Sequence, residues 1–129
     1  MAKTKAKDRK DFRTAEEYSA SGDSKASIVR AIRRESMVYR AKFVAIARHI
    51  KEVELPDGQK RRLVECQGCF ELFHRDDVEG HHLTDVGQLG STSVEDIRAF
   101  QDRIFCRASG IVPLCKAKCH LAAHHQDDN

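Results

Sequence analysis

"VECQGCFELFHRDDVEGHH", residues 64–82, carries the reading on which the rest of the chain turns. It opens with two cysteines spaced C-x-x-C, Cys66 and Cys69, and closes with two adjacent histidines, His81 and His82. Zn²⁺ takes four ligands at tetrahedral corners, and a C-x-x-C turn lets both thiolates address one ion without strain. A second pair, Cys115 and Cys119, follows downstream in "LCKAKC". The two pairs together predict a structural zinc centre, a staple worth on the order of 10 kcal/mol of metal-coupled folding.

The composition says why a staple is needed. The chain has 129 residues, no tryptophan, 6% aromatic and 33% charged residues. A module of half that length is too small to be held by apolar burial alone. No apolar run is long enough to span a membrane, and the basic start "MAKTKAKDRK" has no apolar stretch behind it, so the expectation is a cytoplasmic protein. In a reducing compartment paired cysteines more often bind metal than form disulfides. The fifth cysteine, Cys106, is read as a buried core thiol.

Charge divides the chain. Residues 1–62 carry 17 Lys+Arg against 9 Asp+Glu, a net of +8, whereas residues 63–129 carry 6 against 11, a net of −5. A basic lead segment joined to an acidic, His/Cys-rich module fits a nucleic-acid binder in which one part finds phosphate and the other works on it.

Three regions follow. Residues 1–22 are polar and read as a basic flexible arm. Residues 23–52 predict one long amphipathic helix, with Ile28, Ile32, Tyr39, Phe43, Ile46 and Ile50 at helical spacing and Asp23 or Ser24 as its N-cap. Its polar face carries Arg30, Arg33, Arg34, Arg40, Lys42 and Arg48, which suits contact with a DNA backbone. Residues 53–129 hold the remainder. There "PDG" predicts a hairpin leading into Cys66, and "SVED", residues 93–96, reads as a capping box opening a helix with Val94, Ile97, Phe100 and Ile104 on its buried stripe.

With the cysteines assigned, the histidines form a second group. His120 and His124 are spaced i, i+4 and share one face of a helix expected to begin near Cys115. A hydrolytic metal site uses few protein ligands, keeps positions open for water and substrate oxygen, and needs a base. His81 from a strand and His120 from the helix are the candidate ligands, with His82 on the strand's other side as the base. An imidazole, which ordinarily titrates near pH 6.5, is a competent base at neutral pH. His49 and His74 stand alone and read as surface or core residues.

The order C-x-x-C, then a histidine pair on a strand, then "LC…CH" opening a helix resembles the zinc-stapled HNH endonucleases, members of the ββα-metal nucleases. Within that family the likeness is to small HNH proteins of tailed bacteriophages, carried here by "HHLTDVGQL" (81–89) and "FQDRIFC" (100–106). It covers residues 63–126. The resemblance implies an α+β fold: a small zinc-bound ββα-metal module preceded by a long basic helix and a β-hairpin. It further implies hydrolysis of DNA phosphodiester bonds, with double-stranded DNA as partner and no membrane. Zn²⁺ would be structural and Mg²⁺ or another divalent metal catalytic. By the same likeness His81 and His120 hold the catalytic ion, His82 is the general base, and His124 is a second ligand or a phosphate contact. A homodimer, or a phage packaging or replication protein in a bacterial host, is the implied setting. Where the family has an asparagine, this chain has Ser109 and Gly110. The residues also leave open a zinc-ribbon module that binds DNA or a protein partner without cutting.

Overall fold

The structure, a computed structural model, describes residues 5–127, with side-chain surroundings through residue 123. It is α+β, with five α-helices and two small antiparallel sheets among the described residues.

Each early helix is started by a hydroxyl that satisfies an otherwise open backbone amide. Helix α1 (Ala15–Ala20) begins at Thr14, whose Oγ accepts from the Glu17 N–H at 3.1 Å while the Glu17 carboxylate reaches back to the Thr14 N–H at 3.3 Å. Helix α2 (Lys25–Ser36) begins at Ser24, which accepts from the Ser27 N–H, and buries Ile28 and Ile32. The flexible arm expected over residues 1–22 is corrected by these contacts for its described part; residues 1–4 lie outside the described residues. Tyr18 is 1% exposed and lies with Ala15 in the same core as Ile28 and Ile32. The polarity of the segment hides two well-placed anchors.

The single long helix expected over residues 23–52 is also corrected. It breaks after Ser36, and α3 (Arg40–Ala47) starts a new helix. The break has a tertiary cause. Lys7 takes up residues 38–40 as a one-residue parallel bridge, its N–H donating to the Val38 carbonyl and its carbonyl accepting from the Arg40 N–H, both at 2.8 Å. Tyr39 thereby turns into an aromatic group with Phe12 and Phe105, its hydroxyl donating to the Phe105 carbonyl at 3.2 Å.

The predicted hairpin forms. Strands β1 (Ile50–Glu54) and β2 (Lys60–Glu65) pair antiparallel, Ile50 opposite Val64 and Glu54 opposite Lys60. The turn is closed by the Gly58 N–H donating to the Leu55 carbonyl at 2.9 Å, and Gly58 takes φ +86°, which favours glycine. A two-residue strand β3 (Leu72–Phe73) adds to the other edge of β2. Strand β4 (Val78–His82) then pairs antiparallel with β5 (Ile111–Cys115), His82 opposite Ile111 and His81 opposite Val112. Between them runs α4 (Val94–Ile104), capped by Ser93. Of the capping box expected there, the Ser93 half forms, whereas the Asp96 carboxylate accepts from the Ser91 hydroxyl. Helix α5 (Cys119–Asp127) follows β5.

Three small cores hold these elements. The largest joins α1, α2 and α4 through Tyr18, Ile28, Ile32, Ile97, Phe100 and Ile104. A second is built on Ile46, Val64 and Val78, where α3 meets both sheets. The third is Cys66, Leu114 and Cys115, with Cys69 and Cys119 beside them. Because Tyr18 is part of the first, Tyr18→Ala is expected to destabilise the whole domain by about 3–5 kcal/mol, as large-to-small core changes do. Urea unfolding followed by far-UV circular dichroism measures this; an unchanged midpoint would restore the arm reading.

Candidate metal centre and adjoining cleft

The two cysteine pairs converge. Cys66 follows β2, Cys69 ends a tight turn, Cys115 is the last residue of β5 and Cys119 the first of α5. Their sulfurs all lie within 4.8 Å of one another. A zinc tetrahedron with Zn–S of about 2.3 Å has edges of about 3.8 Å, so the four could hold a metal ion such as zinc after a small contraction. The helix expected to begin near Cys115 begins instead at Cys119, after a turn in which the Cys119 N–H donates to the Cys115 sulfur at 3.3 Å.

Local electrostatics prepare the first thiolate. Burial opposes ionisation of Cys66, but backbone N–H groups of Cys69, Cys115 and Gly68 aimed at its sulfur overcome this and bring the thiol down to about 6. Those from Gly68 and Cys115 lie at 3.3 Å. Burial and the neighbouring sulfurs push Cys119 up to about 12. One thiolate thus forms readily, and a bound cation would stabilise the others. The turn itself needs a residue without a side chain: a Cβ on Gly68 would stand 2.7 Å from the Cys119 sulfur. Phe70 closes the turn at φ +62°, its N–H donating to the Cys66 carbonyl at 2.8 Å. Cys106 lies outside the group. It is half-buried rather than fully buried, since it sits on the chain after α4 and against Gly110. Burial raises its thiol above the usual range.

The knuckle sets the histidines. His120 is the second residue of α5, directly after Cys119, and its ring centre lies 5.8 Å from that of His81 with the planes at 81°. The two imidazoles face a common volume and could address one divalent cation. His82 is next along β4. Its Nε2 lies 2.7 Å from the carbonyl oxygen of Ile104, the last residue of α4. A carbonyl only accepts, so Nε2 carries the proton and the Nδ1 lone pair is the basic one. The side chain of His124 lies outside the described residues. His74 is exposed and His49 half-buried.

His81, His82 and His120 line a cleft of about 420 Å³ whose walls include Arg33, Lys42, Gly80 and Asp85. A neighbouring hollow of about 400 Å³, bounded by Lys25, Val29 and Arg30, shares Arg33 and Gly87 with it. The six basic residues expected to form one DNA-facing stripe are therefore divided. Arg30, Arg33 and Lys42 border the cleft or its extension. Arg34 lines a separate hollow with Lys7 and Arg13, Arg40 is paired with Asp8 at 3.0 Å, and Arg48 is exposed at the end of α3. The break at residues 37–39 resets the helical phase between Arg34 and Arg40, while Arg34, one residue past Arg33 on α2, is turned about 100° away from it around the helix. Burial pulls the Lys42 ammonium below the usual lysine range, with Glu79 opposing it.

Sequence reasoning missed the Ile104 carbonyl and the two glycines that let chains approach closely, Gly68 and Gly80. A glycine inside a cysteine knuckle and another one residue before the histidine pair were the available signals. No helix among the described residues is long and apolar enough to cross a membrane. No family model, no curated protein and no solved structure matches this chain.

Two measurements check the metal centre. The purified protein is expected to bind one zinc per chain through thiolates, with Co²⁺ substitution giving the thiolate-to-metal absorption of a tetrahedral site. Gly68→Ala, which keeps all four sulfurs, is expected to weaken zinc retention against a competing chelator by about 10- to 100-fold, the usual effect of disturbing a ligand's support. Equal retention by both proteins would remove the knuckle from the metal centre.

Proposed function

We propose that this chain is a metal-dependent DNA endonuclease of the HNH, or ββα-metal, type. The observation that carries the reading is the arrangement of three imidazoles in one cleft: two set edge-on with centres 5.8 Å apart and a third tied through Nε2 to a helix-end carbonyl. Strand β4 paired with β5, which leads into α5, supplies a strand–strand–helix unit that presents His81, His82 and His120, with α4 inserted between the two strands. The four-cysteine group is the structural zinc centre in this reading.

The chemistry then follows from the side chains. His81 and His120 would hold a divalent cation, a transition ion such as Ni²⁺ suiting two imidazoles better than Mg²⁺, and it would supply Lewis acidity at the phosphate and offset charge on the leaving 3′ oxygen. His82 Nδ1 accepts a proton from a water molecule while that water's oxygen attacks phosphorus. The bond from phosphorus to the 3′ oxygen breaks, leaving a 5′-phosphate and a 3′-hydroxyl end. The Ile104 carbonyl fixes the tautomer and stabilises the imidazolium as it forms, helped by the partial negative charge of the α4 C-terminus. Arg30 and Arg33 beside the cleft would contact flanking phosphates without reading sequence.

One observation favours a second reading. Ser109, at the position where the resembled family has its asparagine, is exposed and makes no side-chain hydrogen bond among the described residues. A zinc-ribbon module that binds DNA or a protein without cutting would need no such residue.

The test uses supercoiled plasmid with Mg²⁺, Mn²⁺ or Ni²⁺. Nicked product is expected from the intact protein, and none in EDTA. His82→Ala is expected to lower the rate by about 10²- to 10⁴-fold, the range for loss of a general base, with the protein still folded by circular dichroism and stability lowered by no more than about 1–3 kcal/mol for the lost hydrogen bond. Tight plasmid binding without nicking under every metal would establish the second reading.

A further inference from the structure

The cleft holds a cation that the histidine arrangement does not account for. Lys42 stands on α3, which lies outside the strand–strand–helix unit. Its stem crosses β4 where Gly80 leaves room: a Cβ there would stand 2.9 Å from Lys42 Cγ and 3.0 Å from Cε. The side chain is only 18% exposed, and Lys42 lines the cleft together with His81 and His120.

Its acidic neighbour holds it loosely. Lys42 Nζ lies 3.8 Å from Glu79 Oε2, beyond ordinary hydrogen-bond length, and Glu79 Oε1 is also engaged by Lys116 at 3.4 Å. Glu79 is therefore shared between two ammonium groups. A lysine whose stem is already packed has lost most of its rotamer freedom before any ligand arrives, so an anionic oxygen can be bound with little further entropic cost. A point charge with three rotatable donors suits a phosphate oxygen whose position changes during reaction.

We propose that Lys42 donates to a non-bridging oxygen of the scissile phosphodiester, so that the basic N-terminal half supplies a catalytic residue as well as backbone contacts. This inference rests on the nuclease reading above. In the reaction the ammonium keeps its proton and offsets charge gathering on the phosphoryl oxygens as water adds and the 3′ oxygen departs.

The experiment is single-turnover nicking of supercoiled plasmid by the full chain with Mg²⁺, Mn²⁺ or Ni²⁺. Duplex affinity in EDTA and thermal melting are measured in parallel. Lys42→Met keeps the stem and removes the charge; it is expected to slow nicking by about 10²- to 10³-fold, the usual effect of losing one preorganised donor to a transition state, with duplex affinity and melting close to those of the parent. Lys42→Arg should recover part of the rate. Lys116→Met removes an equal charge beside the same carboxylate but outside the cleft, and should nick at the parental rate. If Lys42→Met is too unstable to assay, Lys42→Gln takes its place with the same expected loss. Parental nicking by Lys42→Met or its substitute, or an equal loss in Lys116→Met, overturns the assignment while leaving the nuclease reading intact. A parental protein inert with Mg²⁺, Mn²⁺ and Ni²⁺ alike overturns both.

Discussion

Four sulfurs held within 4.8 Å of one another constrain the rest of the site. They fasten the turn after β2 to the corner between β5 and α5, segments far apart in the chain. The third core contributes little apolar surface beyond Leu114 and its half-buried neighbours, so a bound cation would supply much of what holds this corner together. The same corner decides where α5 starts. His120 follows Cys119 by one residue, so its distance from His81 is a consequence of the sulfur geometry.

The larger helical core makes a different contribution. It is joined to the metal-centred half through a small number of polar contacts, of which the His82 to Ile104 hydrogen bond is the most telling. The last carbonyls of a helix lack intrahelical partners, and here one of them meets an imidazole N–H from the neighbouring sheet. One contact thus satisfies the end of α4 and selects the tautomer of His82. Lys42 joins the halves in the opposite sense, sending a cation from α3 across β4 at Gly80. The cleft lies at the meeting of the two halves, and residues from α2 and α3 form part of its wall.

Much of this organisation is legible locally. The cysteine spacings name the four residues that converge at the candidate metal centre, the hydroxyls at Thr14, Ser24 and Ser93 each begin a helix, and "LPDG" closes a hairpin. Each is a short-range rule, settled within four or five residues of backbone. The histidine pair could be placed on a strand for the same reason. The errors fall where a distant segment intervenes. Apolar spacing ran through Tyr39 without interruption, yet Lys7 and Phe105 supplied better partners than another turn of helix. Polar composition suggested an arm, whereas two residues of it are buried against a helix that lies far along the chain.

The sequence alone determined the kinds of groups available: four cysteine thiols in two pairs, adjacent imidazoles, a third imidazole behind the last cysteine, and a basic lead segment. Residue type and short spacing suffice for that, because ligand chemistry and local backbone geometry are properties of neighbours. Tertiary structure decided which atoms are usable. It brought His81 and His120 to 5.8 Å, protonated His82 at Nε2 by offering a carbonyl, separated the six basic side chains onto different surfaces, and pressed Lys42 into the cleft. These outcomes depend on partners dozens of residues away, and no local pattern encodes a distance across a folded chain.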